Sequence, residues 1–281
     1  MKVHSIHISN FRLDGGAMFG VVPKVLWQKQ YPADENNLCN WALRSVLVDT
    51  GGRRILVDNG CGDKQSEKFF SHLYLNGGYG LEGALERCGY SVKDITDMVI
   101  THLHYDHCGG GVKYNSDKTG YELTFPNAKY WISRRQWEWA MKPNKREAAS
   151  YLKENILPVE KSGQLFFIEQ NTELYPGFSV RLFNGHTEGQ VIPFVRYCNK
   201  TIVFMADLIP STVHIPVNWI MGYDIRPLVV MREKEKFLRE AFERDYILFF
   251  EHDVFHECCD LKETPKGIRV KDTFTLEEYF H

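Results

Sequence analysis

The chain has 281 residues, of which 25% are charged and 43% hydrophobic, with a formal net charge of −2. That length supports one large sandwich or α/β domain, and the near-neutral charge gives no electrostatic drive toward nucleic acid or an anionic membrane. No run of about 18 apolar residues is present to span a bilayer, and Met1-Lys2-Val3-His4-Ser5-Ile6-His7 lacks the apolar stretch of a secretory signal, so the cytoplasm is the expected location.

Residues 45–49 and 54–58 are β-rich runs joined by Thr50-Gly51-Gly52-Arg53, and they read as a hairpin. Each run ends on an aspartate, Asp49 or Asp58. The glycine-rich Asn59-Gly60-Cys61-Gly62-Asp63 follows, and 81–88 reads as a short amphipathic helix closing at Gly89. Residues 97–101 form a short apolar strand, which puts the next segment on the loop beyond its C-terminal end, where sheet proteins build sites. A further strand is expected over 129–133, then helices over 134–141 and 145–156, separated by Pro143.

In the second half, 177–184, 191–198 and 201–206 read as strands bounded by turn residues such as Asn199-Lys200. A charged helix over 233–244 leads into a strand over 246–250, and its run Glu233-Lys234-Glu235-Lys236 reads as a solvated face. No internal repeat or low-complexity linker divides the chain, so one domain over 1–281 is expected. Two β-rich halves with intervening helices define the fold class as α/β, a four-layer αββα sandwich with its site along one edge.

The seven cysteines form an odd set without C-x-x-C spacing, which fits reduced thiols serving packing better than a disulfide framework. Cys61 and Cys108 lie near the candidate site and are the two to consider for reactivity.

Thr101-His102-Leu103-His104-Tyr105-Asp106-His107 packs four metal-seeking side chains into six residues, with Cys108 and three glycines behind it. In extended chain His102 and His104 point one way while the following turn aims Asp106 and His107 another, which lets one segment serve two ions. Three further strand ends repeat the pattern, at His186, Asp207 and His252. Five imidazoles and two carboxylates suit zinc, with manganese, iron or cobalt as alternatives, and the lack of cysteine at these strand ends argues against a structural zinc site.

With His102, His104, Asp106 and His107 the chain meets in full the H-x-H-x-D-H signature of the metallo-β-lactamase superfamily, which it resembles in order from about Val46 to His252. That resemblance implies one ion on His102, His104 and His186, a second on Asp106, His107 and His252, and Asp207 bridging them. Asp58 resembles the family's first aspartate, which braces ligand histidines from behind, a support that carboxylates commonly give. Glu188 and Gln190 depart from the family's G-H-T-P-G-H run, and neither is a proposed ligand.

The stretch from Leu13-Asp14-Gly15-Gly16 through Leu26-Trp27, together with Ala206-Asp207-Leu208-Ile209-Pro210, resembles the branch of quorum-quenching N-acyl homoserine lactonases and methyl parathion hydrolases. Some of those lactonases place a tyrosine where Pro210 stands here. The resemblance implies hydrolysis of a small ester, most specifically a lactone, by hydroxide held between two divalent ions, with Asp207 ahead of Asp106 as proton relay. Met18, Phe19, Trp27, His214 and Trp219 are candidates for the substrate wall, set against an ordinary place in the core. Phosphotriesters, aryl esters and thioesters are alternative substrates, and an iron-dependent oxidoreductase is the alternative from another class. The oligomeric state stays open, a homodimer included.

Overall fold

The computed structural model describes residues 1–280; His281, the last residue of the expected single domain, lies outside them. From the N-terminus come β1 (Lys2–Asp14), α1 (Gly15–Phe19), α2 (Lys24–Trp27), β2 (Leu38–Asp49), β3 (Arg54–Val57), α3 (Glu67–Ser71), α4 (Gly80–Arg87), β4 (Asp97–Val99) and α5 (Tyr105–Cys108). Then follow β5 (Val112–Tyr114), β6 (Tyr121–Leu123), β7 (Lys129–Ser133), α6 (Arg134–Met141), α7 (Lys153–Lys161), β8 (Leu165–Ile168), β9 (Thr172–Tyr175) and β10 (Phe178–Phe183). The chain closes with β11 (Gln190–Tyr197), β12 (Lys200–Phe204), α8 (Pro227–Glu243), β13 (Ile247–Phe249), β14 (Cys258–Thr264), β15 (Gly267–Phe274) and α9 (Leu276–Phe280).

These elements make two large sheets, ordered β1-β2-β3-β4-β7-β8 and β15-β14-β13-β12-β11-β10-β9, with β5 and β6 as a separate hairpin. The α/β class read from the sequence is thus met by two mixed sheets with helices in their connections. The chain divides into two compact units, one of Met1–Ser9, Leu43–Thr172 and Gly189–Val191, the other of the remaining residues.

In the first unit β3, β4 and β7 pair in parallel, with Val57 opposite Val99 and Val99 opposite Trp131. Parallel neighbours end on the same edge of a sheet, so residues following β3, β4 and β7 gather there. Asp58, the 101–107 cluster and α6 are the segments so gathered. The strands can be short because they are wholly buried, as Met98 and Val99 are, and fully covered parallel strands take near-continuous apolar sequence.

The second unit uses the same device. Strands β12 and β13 pair in parallel with Phe204 opposite Phe249, and the chain leaves them toward Asp207 and His252 respectively. Helix α8 packs on β14 and β15, starts with Pro227 in its first turn, and buries Val230, Lys234, Phe237, Leu238 and Ala241 at helical spacing.

Two sequence expectations are corrected. No helix spans 145–156: Ala148–Ser150 is a single 3-10 turn and α7 begins only at Lys153. Asn144 caps only a short turn, its Oδ1 accepting the N–H groups of Arg146 and Glu147, and the 3-10 turn that follows ends at Tyr151 in extended backbone, φ −100° and ψ 97°. The charge run in α8 is not a solvated face at its first two positions. Lys234 is 1% exposed, and Glu233 accepts the backbone N–H groups of Asn184 and Gly185.

Candidate metal centre

In the first unit the cluster after β4 turns tightly, with His104 extended at φ −65° and ψ 148° just before α5. The glycines behind it are there for space: a Cβ on Gly109 would run into the carbonyl of Cys61, and one on Gly110 into that of Asn59. Asp58 sits at φ +55°, a costly conformation for a residue with a Cβ, and its carboxylate is fully committed. Its Oδ1 accepts the Thr101 N–H at 2.7 Å, and its Oδ2 accepts the Thr101 hydroxyl at 2.6 Å and faces His107 Nδ1 at 3.0 Å.

These bonds assign the imidazole protons. The single Thr101 hydroxyl proton goes to Asp58, so at the 3.0 Å contact between Thr101 Oγ1 and His102 Nδ1 the ring donates. His102 then carries a lone pair on Nε2. His104 Nε2 faces Glu147 Oε1 at 3.3 Å, which makes it the donor and leaves the lone pair on Nδ1. The two lone-pair nitrogens, His102 Nε2 and His104 Nδ1, lie 3.0 Å apart. Two acceptors so placed repel each other unless a cation or a proton lies between them. Beside them, His107 Nε2 is 3.7 Å from Asp106 Oδ2, a second nitrogen and carboxylate pair of the kind divalent ions take.

The second unit brings together the other three expected residues. Asp207 splits its carboxylate, Oδ2 standing 3.1 Å from His186 Nε2 and Oδ1 3.1 Å from His252 Nε2. Each ring is held from its far side, His186 Nδ1 by Asp224 Oδ1 at 2.9 Å and His252 Nδ1 by the Ala42 carbonyl at 2.9 Å. Ala206, immediately before Asp207, is at φ +40°, a strained backbone that aims the carboxylate. Burial alone works against an imidazolium at His186, yet the Asp207 and Asp224 carboxylates outweigh it and push the ring up to about 10 when no ion is present. The donor set therefore fits divalent cations: imidazoles with their outer nitrogens satisfied, carboxylates facing the inner ones, and at His186 a proton that an ion would displace.

The five candidates for a substrate wall all lie in the second unit. Met18, Phe19, Trp27 and His214 are each no more than 2% exposed, and Trp219 is half-buried. Phe19 stacks on Trp27 at 4.9 Å and on His214 at 4.7 Å, and Trp219 meets Phe19 edge-on at 6.2 Å. His214 is neutral, its pKa pushed down to about 3 chiefly by burial, and it donates from Nε2 to the Met18 carbonyl at 2.9 Å. Lys234 donates to the carbonyls of His214, Pro216 and Trp219 and so ties down this stretch.

Cys61 and Cys108 are both buried, and burial pushes the Cys108 thiol up to about 12, which suits packing and not nucleophilic attack. Gln190 is also buried, with neither end of its side-chain amide hydrogen-bonded among the described residues. Four residues with evident work here were not singled out from sequence: Thr101, Glu147, Asp224, and Gln136, whose Oε1 accepts the Leu103 N–H between two histidines. Of these only Thr101 offered a signal, by standing next to the cluster.

The metallo-beta-lactamase superfamily model matches residues 44–252, ending on His252. The chain belongs to the metallo-beta-lactamase superfamily and is a metal-dependent hydrolase of that family. An N-acyl homoserine lactonase of Bacillus cereus is 28% identical over 236 residues, covering 79% of this chain and 85% of the relative. Among solved structures, a probable metal-dependent hydrolase from Staphylococcus aureus is 29% identical with a TM-score of 0.87 over 98% of both chains. A dizinc quorum-quenching lactonase, 22% identical, shares the fold with a TM-score of 0.79 over 97% of this chain and 95% of its own.

Proposed function

We propose that the chain hydrolyses a small ester, most specifically a lactone of the N-acyl homoserine type, using two divalent ions, zinc before manganese, iron or cobalt. His102, His104 and His186 would hold one ion and Asp106, His107 and His252 the other, with Asp207 shared. The observation that carries this reading is the split carboxylate of Asp207, whose two oxygens each face a different imidazole at 3.1 Å. The lactonase relatives, matched over most of the chain, favour a lactone among the family's esters.

Two divalent ions in such a site supply Lewis-acid polarisation of the ester carbonyl and draw the pKa of water from about 15.7 toward 7. The chain does the rest. Asp58, Glu147 and Asp224, with Thr101 and the Ala42 carbonyl, occupy the outer nitrogens so that every ligand ring stays neutral with one lone pair inward. Asp207 would take a proton from the attacking water and pass it toward the leaving alkoxide, with Asp106 the alternative carboxylate for that role. Pro210 offers no phenol to the carbonyl. Trp219, the one partly exposed member of the aromatic group, would meet the acyl side of the substrate, while Met18, Phe19, Trp27 and His214 shape it from beneath. A cytoplasmic location belongs to this reading, in keeping with seven cysteines of which none forms a disulfide among the described residues.

The test is one substrate panel on the metal-replete protein: lactones of varied acyl length, aryl esters, phosphotriesters and thioesters. Preference for long-acyl lactones supports the reading, and preference for thioesters sinks it. Asp207→Asn with both ions retained and full turnover would remove the relay role.

A further inference from the structure

Behind the histidine cluster, the segment that fails to become a helix builds a buried carboxylate site around Glu147, which is 3% exposed. Its Oε1 takes the Tyr151 hydroxyl at 3.0 Å and faces His104 Nε2 at 3.3 Å. Its Oε2 accepts the Trp139 indole N–H at 2.8 Å and the Asn144 amide at 2.5 Å. Four donors converging on one buried carboxylate, from α6, the loop after it and the 3-10 turn, orient it more firmly than packing alone requires. Only one of the four belongs to the ligand cluster.

His104 differs from the other four histidines in the nitrogen it offers. His102, His186 and His252 turn Nε2 inward, as His107 does toward Asp106, each with Nδ1 held from outside. His104 alone turns Nδ1 inward, 3.0 Å from His102 Nε2. Its use as a ligand therefore depends on Nε2 staying the protonated, donating nitrogen, and Glu147 is the carboxylate in position to require that. A carboxylate behind a ligand imidazole also raises the basicity of the ring and its affinity for a cation.

We infer that Glu147 is a positioning residue for His104, fixing its tautomer and selectively tightening the ion that His102 and His104 hold. This rests on the ligand assignment proposed above. Glu147 touches neither substrate nor reacting atoms. It acts through the ring, so its effect falls on one ion and not on both.

The experiment is a titration of the metal-free chain with Zn2+ against a chromophoric chelator, repeated with Co2+ so that the visible spectrum reports each site. Glu147→Gln should lose about 10–100-fold in affinity for one ion, the scale of such outer partners, with the other unchanged. Its circular dichroism and melting temperature in the metal-free form separate this from misfolding. Tyr151→Phe keeps the charge and frees Oε1 of a competing donor, so it should bind that ion more tightly. Unchanged affinities in Glu147→Gln, an equal fall for both ions, or looser binding in Tyr151→Phe would each overturn the inference, the last even if Glu147→Gln does not fold. A wild-type chain that takes up one ion in place of two would remove the dinuclear reading, while a fall in the affinity of that ion in Glu147→Gln would still support the role of Glu147.

Discussion

Asp224 Oδ1 stands 2.9 Å from Nδ1 of His186, with both side chains buried, and the same aspartate accepts the Met221 N–H through Oδ2 at 2.9 Å. The imidazole is thus fixed in plane by a carboxylate that is itself anchored to the loop after Trp219. Exchanging that carboxylate for an amide keeps the size and removes the charge. Asp224→Asn should lower metal affinity about 10–100-fold with little change in the melting temperature of the metal-free protein. Chelator competition measures it, and an unaltered affinity would show that His186 needs no such partner.

The same carboxylates make metal loading release a proton. His186 lies at about 10 in the metal-free fold, above the ordinary value for histidine, so at pH 8 the ring is an imidazolium. An ion requires it neutral, and its proton must leave. Calorimetry at pH 8 in buffers of different ionisation enthalpy should report that release, which fades as the pH rises through about 10. Release that is absent at pH 8 would show that His186 is already neutral in the metal-free fold, against the pull of Asp207 and Asp224.

Lys234 spends its ammonium on three carbonyls, those of His214, Pro216 and Trp219, in surroundings whose burial pushes its pKa down to about 7. Lys234→Met fills similar volume and leaves those acceptors without their donor. At roughly 1–3 kcal/mol for a buried group left unsatisfied, the variant should lose about 3 kcal/mol of stability. Denaturant unfolding checks this, and an unchanged midpoint would mean the loop is held by its aromatic contacts instead.

Gln190 gives the opposite sign. Its buried amide finds no hydrogen-bond partner among the described residues, so Gln190→Met removes two desolvated polar atoms and keeps the length. A gain of about 1 kcal/mol is expected from that relief. Thermal unfolding of the metal-free form is the check, and a loss of stability would point to a bound water that the amide satisfies.

Thiol chemistry should follow burial. Cys198 is exposed, whereas Cys108 is buried with its thiol pushed up to about 12. Alkylation of the native protein at pH 8 followed by peptide mapping should label Cys198 first and leave Cys108 unmodified until unfolding. Early labelling of Cys108 would reopen a reactive role for it.

The ligands were legible because all seven come soon after apolar strands, β4, β10, β12 and β13, and four of them form one contiguous motif. Their partners were not. Asp224 reaches His186 across 38 positions, Glu147 reaches His104 across 43, and Gln136 reaches Leu103 across 33. No local spacing encodes such pairs; they follow from parallel strands that end on one edge and from loops folded back on them. The hairpin of β2 and β3 is plain in the sequence because a glycine turn separates two apolar runs. Strands β14 and β15 are not, because Asp260, Lys262, Glu263, Arg269, Lys271 and Asp272 interrupt their apolar pattern, and a strand with so many charged positions reads as loop. Lys234 misleads for the converse reason, since a lysine in a charged run gives no sign that three carbonyls await it.

The most direct test is the metal content per chain of the purified wild-type protein and of His107→Ala, measured by plasma emission spectroscopy after removal of loosely held ions. His107 serves only one of the two proposed ions, and its Nδ1 contact with Asp58 at 3.0 Å marks it as a held ligand. The expected result is about two divalent ions per wild-type chain and about one in the variant, with activity lost. Two ions and persisting hydrolysis in His107→Ala would contradict the dinuclear centre.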